Sequence, residues 1–325
     1  IVCEAVEAPF DGYRLAPFGE AGRRLGPRAR LRAIAERVAD VAPDLVVVHQ
    51  HLPTAAALGA AGWRVVLHAH GYQSPPGWWP QRLHKRRQYA ALSGLIFVSA
   101  SCRADFERRW REIALPRAVV HNGLDMAAWR PAAARERLIV YAGRAAPEKG
   151  VLEAAEAVAG ALARRPGWRA LFLLAASQEH PATTARLRAL GRATGGALEI
   201  VCDAAFAQVR QAMERAAIAL TPTLIREAFG RAALEAHAGG AALVSSGRGG
   251  LREVSGDACL YADPDKPASL AHALDRLIRN EALRNRLALE GRLRAQRLFD
   301  IRACAADLDD FYEEVAAQAA VSGGA

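Results

Sequence analysis

Short apolar runs alternate with longer stretches of helical periodicity in the first part of the chain. The runs are continuously apolar instead of alternating with polar positions, which is typical of parallel strands that are buried on both faces. Candidate helices at 28–42 and 80–92 lie between them. The order of strand and helix therefore predicts a doubly wound parallel sheet. The predicted strands are 44–49, 64–68, 95–99 and 118–121.

This pattern is interrupted at 130–137, where the sequence RPAAARER has no apolar face and predicts a linker. A second series of strands and helices follows, and residues 267–319 have helical periodicity throughout. We therefore predict an α/β protein with two Rossmann-like doubly wound domains facing a cleft, at 1–130 and 131–300. A C-terminal helix at 301–325 is predicted to pack back toward the first domain. The second set of predicted strands is 138–142, 170–175, 198–202, 218–221, 242–245 and 259–261.

Composition narrows the class of protein. Of the 325 residues, 52% are hydrophobic and 24% are charged, which excludes wholesale disorder. No apolar run approaches the ~20 residues of a transmembrane helix. Five scattered cysteines without a CxxC pair argue against a disulfide scaffold or a zinc site, and they favour a cytoplasmic, reducing environment.

The net charge of +9 suggests an anionic partner such as nucleic acid, a phosphorylated ligand or an acidic membrane. All but three of the 43 basic residues are arginines, however, which indicates the coding bias of a GC-rich genome. Arginine is also spread along the chain, and no nucleic-acid-binding module is recognisable, so we do not expect a nucleic-acid partner. The exceptions to the arginine bias are Lys85, Lys149 and Lys266.

Two cations follow the first strand of the second series. The strand ends at Gly143-Arg144, and Lys149-Gly150 opens the next helix. Cations beside a helix N-terminus form an anion site, and charge-assisted bonds to phosphate contribute roughly 1.5–3 kcal/mol each. The alternative is that both are surface residues and that one of them pairs with Glu148. Spacing alone leaves both interpretations open, and the retention of lysine in an arginine-rich chain favours a binding role for Lys149.

Two glutamates flank the start of a later helix. Glu227 lies in a turn after the strand at 218–221, and Glu235 follows on the helix with seven residues between them. Backbone amides near Phe229 and Gly230 would suit a phosphate, and the carboxylates could accept hydrogen bonds from sugar and ribose hydroxyls. For the spacing alone, two charges on a helix surface are the favoured interpretation.

An ordered set of segments extends over nearly the whole chain: 43–51, 68–71, Ser99, 122–125, 129–131, 143–144, 149–150, Glu227, Glu235, 249–254 and 261–264. Taken in order, these segments resemble the retaining family 4 glycosyltransferases of the GT-B fold. The resemblance depends on the ordered set, since no single motif decides it. It is specific for the family and not for the sugar.

The resemblance implies a role for each matching residue. Arg144 and Lys149 would bind the donor diphosphate, and Glu227 would hold hydroxyls of the donor sugar; these are the three predicted catalytic residues. Glu235 would hold the ribose. His70 would reach the donor sugar from the first, acceptor-side domain. The other predicted donor-binding residues are Gly143, Ala228, Phe229, Gly230 and Arg231.

The activity that the resemblance implies is that of a retaining hexosyltransferase with a nucleotide-sugar donor, no essential metal and no further cofactor. Preorganised cations and helix-end amides would stabilise the anionic leaving group. We hypothesise a glycan or lipid-linked acceptor, as in the synthesis of lipopolysaccharide or another envelope polysaccharide. The alternatives are a phosphorylase or epimerase on the same fold, and a catalytically silent protein that binds nucleotide sugars or glycans.

The chain departs from the family pattern at four places. Residues 175–178 replace a glycine-rich turn, so the loop near the base is expected to differ. His237 stands where methionine is common and is predicted to pack in the core. Asp263 and Asp265 spell DxD in a late turn where metal binding is not expected. Residues 1–7 look like the family's second strand, which predicts that the first β-α unit is missing; a short inactive form is the alternative.

A basic, aromatic stretch at 77–89 predicts contact with anionic lipid, such as the inner face of the cytoplasmic membrane. The alternative is a solvated helix face with the tryptophans packed beneath it, and the sequence does not decide between the two. The residues concerned are Trp78, Trp79, Arg82, Lys85, Arg86 and Arg87.

Overall fold

The computed structural model describes residues 2–3, 16–17, 26–74 and 77–322, with side chains over 26–74 and 77–317. The chain forms two compact units. The first unit comprises Ile1–Phe97, Arg103–Val119 and Leu308–Ala325; the second comprises Val98–Cys102 and Val120–Asp307. The domain limits that we placed at 130 and 300 stay predictions.

The first unit contains a four-stranded parallel sheet in the order β3-β4-β5-β6. Every residue of β4 and β5 is buried, as continuous apolar runs predict for strands covered on both faces. A separate parallel pair joins β1 (Val2–Cys3) to β2 (Ala16–Pro17). The four strands of the sheet are β3 (Val46–His49), β4 (Val65–Ala69), β5 (Gly94–Phe97) and β6 (Arg117–Val119).

Three of the four helices of this half have a proline in their first turn, where it is preorganised for the helix. Pro27, Pro53 and Pro80 each occupy one of the first two positions of their helix. Tyr89 packs edge-on against Phe106 and Trp110, with ring centroids 5.1 and 5.2 Å apart. The helices are α1 (Pro27–Val41), α2 (Leu52–Ala60), α3 (Trp79–Ala90) and α4 (Ala100–Arg109).

The second unit contains a six-stranded parallel sheet in the order β12-β11-β10-β7-β8-β9. The chain runs outward in one direction from β7 and in the other from β10, so the strand order reverses between these two neighbours. Ligands of open α/β sheets bind at such a switch point, beyond the carboxyl ends of the strands. The strands are β7 (Glu136–Arg144), β8 (Arg169–Ala175), β9 (Leu198–Cys202), β10 (Ala216–Thr221), β11 (Ala242–Ser245) and β12 (Cys259–Tyr261).

Helices pack an apolar core onto this second sheet. Ile139 of β7, Val158 and Leu274 are fully buried in one cluster, and burial of each such side chain contributes about 1.5–3 kcal/mol. The helices of the unit are α5 (Val151–Arg164), α6 (Pro181–Ala193), α7 (Phe206–Arg215), α8 (Arg231–Gly239), α9 (Leu251–Ser255), α10 (Pro267–Arg279) and α11 (Glu281–Leu298).

The helical tail consists of α10, α11 and a last helix, α12 (Ile301–Ser322). Asn280 separates the first two, and its side-chain oxygen caps α11 by accepting a 2.9 Å hydrogen bond from the amide of Leu283. Within the first unit, Phe311 and Val315 of α12 lie against Gly94, where an added Cβ would come within 3.1 Å of both side chains. Glycine at this position therefore permits the close packing of α12 on the start of β5.

The predicted fold class is confirmed: both units are built on parallel sheets with the predicted strands. The predicted linker is too long by two residues, because Glu136 and Arg137 already belong to β7. The linker is also anchored, since the Arg135 side chain donates hydrogen bonds to the carbonyls of Glu214 (2.7 Å) and Gly239 (2.8 Å). The strand predicted at 1–7 lies outside the described residues, apart from Val2–Cys3.

Candidate active site

A buried tyrosine holds the carboxyl end of β7 in place. The hydroxyl of Tyr141 donates a 3.1 Å hydrogen bond to the carbonyl of Arg144, and a Cβ on Gly143 would lie 3.0 Å from the same hydroxyl. Burial raises the pKa of Tyr141 far above its ordinary value, so the hydroxyl remains a donor. The half-exposed Arg144 guanidinium pairs with Glu148 at 3.1 Å, which is the partner that the surface-residue interpretation names.

The loops after β7 and β10 are joined through backbone contacts. The amide of Leu224 donates a 2.9 Å hydrogen bond to the carbonyl of Glu148. Gly150 adopts the left-handed conformation with φ of 67°, and an added Cβ there would lie 2.1 Å from the carbonyl oxygen of Pro222. Only glycine fits this contact. Lys149 therefore has a defined position at the sheet edge.

Lys149 and Glu227 form an ion pair at this edge, from Nζ to Oε1. The pair is mostly enclosed, since the two side chains are only 20% and 22% exposed. The backbone of Glu227 is held on both sides: its amide donates to the carbonyl of Arg248 at 3.2 Å, and its carbonyl accepts from Gly250 at 2.8 Å. The fold thus brings together two residues that are far apart in the sequence.

The start of α8 adjoins this pair along the chain. Gly230 caps the helix with φ of 116°, and a Cβ there would lie 2.6 Å from Leu251. Phe229 is buried in the core, and the carbonyl of Ala228 accepts a 2.5 Å hydrogen bond from the Ser99 hydroxyl. In the first turn of α8 the amide of Ala233 donates a 3.0 Å hydrogen bond to the carbonyl of Gly230, and the amides before it have no preceding helical turn to bond to. Arg231 occupies the first helical position.

Glu235 lies one turn further along α8 and is 8% exposed. Its Oε1 lies 3.6 Å from the Arg231 guanidinium. Burial raises the pKa of this carboxyl, and the positive charge of Arg231 partly opposes that rise. Because Glu235 is buried, the interpretation of this residue as a charge on the helix surface is weakened.

Two of the four departures from the family pattern, His237 and the pair Asp263 and Asp265, have structural explanations. His237 is buried, its Nε2 lies 3.0 Å from the Ser255 hydroxyl, and it packs on Gly291, where a Cβ would lie 2.1 Å from Nδ1. It is a core residue. Asp263 and Asp265 both pair with the Arg248 guanidinium, so the DxD carboxylates have a cation within the chain.

Sequence reasoning did not assign a role to Glu253. Its carboxylate accepts hydrogen bonds from the amides of Ala100 (2.8 Å) and Ser101 (3.4 Å), and it lies 2.6 Å from His121 Nε2. Burial alone would raise the pKa of Glu253, but these hydrogen bonds outweigh it and lower the pKa. In the sequence, the place of Glu253 in the motif at 249–254 could have indicated a role for it. In the structure its carboxylate caps the start of α4.

Three histidines of the first unit lie together at the carboxyl edge of its sheet. His49 Nδ1 lies 2.7 Å from His70 Nε2, and the ring centroid of His68 lies 5.1 Å from that of His49 and 4.4 Å from that of His70. Burial lowers the pKa of all three, most for His68, whose pKa is about 3. His70 was predicted as a site residue from the sequence. The spacing of two residues between His68 and His70 could have indicated that both side chains lie on the same side of the sheet.

The tryptophans of the basic stretch are not packed beneath a helix. Trp78 and Trp79 are 68% and 75% exposed, which contradicts the alternative of buried tryptophans. Arg82 lies 2.7 Å from Glu112 and over the ring of Trp110 at 5.3 Å. The remaining cations of the stretch, Lys85, Arg86 and Arg87, lie on the same helix, α3.

Comparison of the sequence with known proteins assigns the chain to a family. A model of Glycosyltransferase Family 4 matches residues 4–128, and one of Glycosyl transferases group 1 matches residues 136–280. A D-inositol 3-phosphate glycosyltransferase from Nocardioides sp. is 32% identical over 225 residues, covering 62% of this chain and 49% of that protein. A glycogen synthase from Mycobacterium tuberculosis is 30% identical over 277 residues, covering 79% and 66%.

The chain belongs to the family 4 glycosyltransferases. The matched part spans about half the length of the Nocardioides relative. Within the described part of this chain, no helix is both long enough and apolar enough to cross a membrane.

Solved structures agree on the fold. Anabaena Alr3699/HepE, solved in complex with UDP and glucose, aligns with a TM-score of 0.76 at 18% identity, covering 92% of this chain and 86% of that one. Sucrose-phosphate synthase from Thermosynechococcus elongatus aligns with a TM-score of 0.71 at 21% identity, covering 89% and 77%. At these identities the similarity establishes the GT-B fold of this chain.

Proposed function

We propose that this glycosyltransferase moves a sugar from a nucleoside-diphosphate donor to a glycan or glycolipid acceptor with retention of configuration. The observation that carries the proposal is the enclosed Lys149–Glu227 pair at the switch point of the second sheet, beside the start of α8. The UDP bound to the Anabaena neighbour supports a nucleotide-sugar donor.

The pair offers an anionic ligand a cation that is already positioned. Lys149 is held by the joined loops, and its charge is balanced by Glu227 until a diphosphate arrives. A diphosphate oxygen would share or replace the carboxylate as the partner of Nζ, and Glu227 would then accept hydrogen bonds from donor-sugar hydroxyls. The two residues would exchange their contact for contacts with the donor.

Catalysis in this arrangement is electrostatic. As the glycosidic bond lengthens, negative charge grows on the departing nucleoside diphosphate, and Arg144, Lys149 and the α8 amides would stabilise it. The proposed acceptor attacks from the face that the leaving group vacates, so configuration is retained without a protein nucleophile. The proposed site holds no metal, because its cations carry the charge that a metal would otherwise supply.

The remaining predicted donor contacts complete the proposal. Glu235 would hold the ribose, for which a hydrogen-bonding carboxyl in a buried position is suited. His70 would contact the donor sugar. Loss of donor hydrolysis in His70→Ala, with the free energy of unfolding unchanged, is the expected result; full activity would remove His70 from the site.

The test of donor binding is a panel of uridine, guanosine and adenosine diphosphate sugars, assayed by thermal unfolding and by donor hydrolysis. A donor at 100 times its dissociation constant stabilises the chain by about 2.7 kcal/mol. We expect one nucleotide class to shift unfolding and to be hydrolysed. If no nucleotide sugar shifts unfolding, the transferase proposal fails, and stabilisation without any turnover would favour the silent-binder alternative.

Retention and metal independence need separate measurements. Proton NMR of the first product formed from the active donor should show the anomeric configuration of the donor, and an inverted product would overturn retention while leaving transfer intact. Turnover should be unchanged by EDTA. A loss of turnover that Mg²⁺ or Mn²⁺ restores would overturn the metal-free proposal.

We also propose that α3 contacts an anionic membrane, where a lipid-linked acceptor would be located. Trp78 and Trp79 are exposed at its start and are followed by a run of cations. Co-sedimentation should be stronger with anionic than with neutral vesicles, and the double variant Trp78→Ala, Trp79→Ala should lose it. Leu289→Ala, which removes another exposed apolar side chain, is the matched control; equal binding to both vesicles would contradict the proposal.

A further inference from the structure

Three imidazoles from adjacent strands meet at the carboxyl edge of the first sheet. His49 ends β3 and lies opposite His68 in the register of β4, and His70 follows β4 by one residue. Each offers a ring nitrogen within 4.8 Å of those of the other two. The parallel register therefore brings histidines that are distant in the sequence to one point.

His68 is the unusual member of this group. It is 6% exposed, yet within the described part of the chain neither of its ring nitrogens has a hydrogen-bond partner. Buried polar atoms are almost always paired, so an unpaired imidazole inside a cluster of imidazoles needs an explanation. A bound cation that accepts the lone pair of one of these nitrogens would supply a partner for it.

We propose that His49, His68 and His70 form a binding site for a divalent late transition metal, Zn²⁺ above all. Neutral imidazole nitrogens suit Zn²⁺, Cu²⁺ and Ni²⁺, whereas Mg²⁺ and Ca²⁺ prefer oxygen ligands. Three histidines leave a fourth position open, which water fills in zinc sites of this composition. All three ligands belong to the first unit. His70 is also the residue proposed to contact the donor sugar, and its second ring nitrogen stays available for that contact.

The geometry needs small ring movements only. Ligand nitrogens of a tetrahedral zinc ion lie about 3.3 Å apart, given Zn–N distances of roughly 2.0–2.1 Å. The 2.7 Å hydrogen bond between His49 and His70 must open, and the ring that donates its proton there must carry it on the other nitrogen instead, with no net change in charge. His49 and His70 are exposed and can turn, while His68 is fixed by burial.

The backbone around the cluster is already held. Gln50 adopts a left-handed conformation with φ of 63°, and its side-chain oxygen accepts a 2.7 Å hydrogen bond from the amide of His70. Its own amide donates to the carbonyl of His68 at 2.9 Å. A residue other than glycine in this conformation is uncommon, and such strain occurs often at ligand sites.

The first experiment is a calorimetric titration of the untagged full chain with ZnCl₂, without any nucleotide sugar. We expect one equivalent to bind. His49→Ala and His70→Ala should each weaken binding by at least about 10- to 100-fold, the loss that even outer partners of a metal ligand cause. His272→Ala, which removes an exposed histidine of α10, should bind as the unaltered chain does. Absence of binding, or equal affinity in all variants, would overturn the proposal.

The buried histidine needs a readout that does not depend on the stability of the variant. X-ray absorption at the zinc edge counts ligands directly, and three imidazoles are expected in the unaltered chain and two in His68→Phe. A coordination sphere dominated by oxygen would show adventitious zinc and refute the site. Because neither measurement involves a donor, failure here leaves the transferase proposal untouched, and failure of the transferase leaves this site standing.

Discussion

The carboxyl edges of the two sheets differ in how their polar groups are matched. In the second unit, Lys149 pairs with Glu227 and Arg144 pairs with Glu148. In the first unit, imidazoles face one another, and the buried one has no partner in the part of the chain described. A matched edge can exchange one of its partners for an anionic ligand, whereas an edge of neutral nitrogens is suited to a cation that accepts lone pairs.

The largest expected effect tests how firmly the second edge is built. Gly150→Ala places a Cβ 2.1 Å from the Pro222 carbonyl oxygen in a left-handed backbone. Left-handed strain costs about 1–2 kcal/mol and overpacking about 1–3 kcal/mol, so the free energy of unfolding should fall by roughly 2–5 kcal/mol. Urea denaturation of the full chain measures this.

Gly195→Ala is the matched control, because Gly195 has φ of 63° and an added Cβ meets nothing within 4 Å. It should cost only the strain component, about 1–2 kcal/mol. Equal losses in the two variants would show that the contact between the loops after β7 and β10 contributes nothing.

The next effect concerns the ion pair. Lys149→Ala removes the enclosed cation and leaves the Glu227 carboxylate without Nζ as its partner. Removing one positioned donor to a developing negative charge reduces turnover about 100- to 1000-fold, and we expect a loss of that order in kcat/KM for the active donor.

Lys266→Ala removes a second of the three lysines, one whose side chain is 76% exposed. It should change kcat/KM by less than about twofold, because an exposed ion pair contributes about 0–1 kcal/mol at most. Similar losses in both lysine variants would point to net charge as the cause and not to a defined site.

The third prediction concerns the pH dependence of stability that the buried His237 causes. Burial lowers the pKa of His237 to about 4, from 6.5 in an unfolded chain, with a further small contribution from Arg294. The unfolded state therefore takes up the proton first, and stability that is fully present above pH 6.5 is lost as the pH falls from 6.5 toward 4. The loss should reach about 3 kcal/mol.

His237→Met should remove that part of the pH dependence while keeping an apolar side chain of similar size in the core. The difference between the two unfolding free energies, measured from pH 7 to pH 4, isolates this residue from acidic groups that also titrate. An identical pH slope in both proteins would mean that His237 is not buried in its neutral form.

The smallest effect is expected at the edge of the first sheet. His49→Ala removes an exposed hydrogen bond to His70, which contributes about 0.5–1.5 kcal/mol at most, so unfolding should change by less than about 1 kcal/mol. A loss of several kcal/mol would show that the histidine edge is structural and would weaken the contrast with the second unit.

Continuous apolar runs were enough to predict both sheets. The strands at 198–202, 242–245 and 259–261 match the structure residue for residue. Of these, only 242–245 is buried at every residue, as a continuous apolar run predicts. The linker at 130–137 was less accurate, since the charged residues Glu136 and Arg137 start a strand whose apolar part comes later.

The candidate site was predicted in part. Gly143, Arg144, Lys149 and Glu227 were identified as residues that follow strands. The partner of Lys149 was not predicted, and neither were Glu253 as the cap of α4 or the contact of His49 with His68 and His70. Each of these depends on which strands or helix ends are neighbours, and periodicity carries no information on that order.

The sequence by itself determined the strands, the helices and the family, because these depend on local hydrophobic pattern and on ordered motifs. Only the tertiary structure decided that β7 and β10 are neighbours, which makes Lys149 and Glu227 an ion pair although 77 residues separate them along the chain. The same is true of the register that sets His49 opposite His68. The physical reason is that side chains interact over a few ångströms in space, and the packing of the sheets sets those distances.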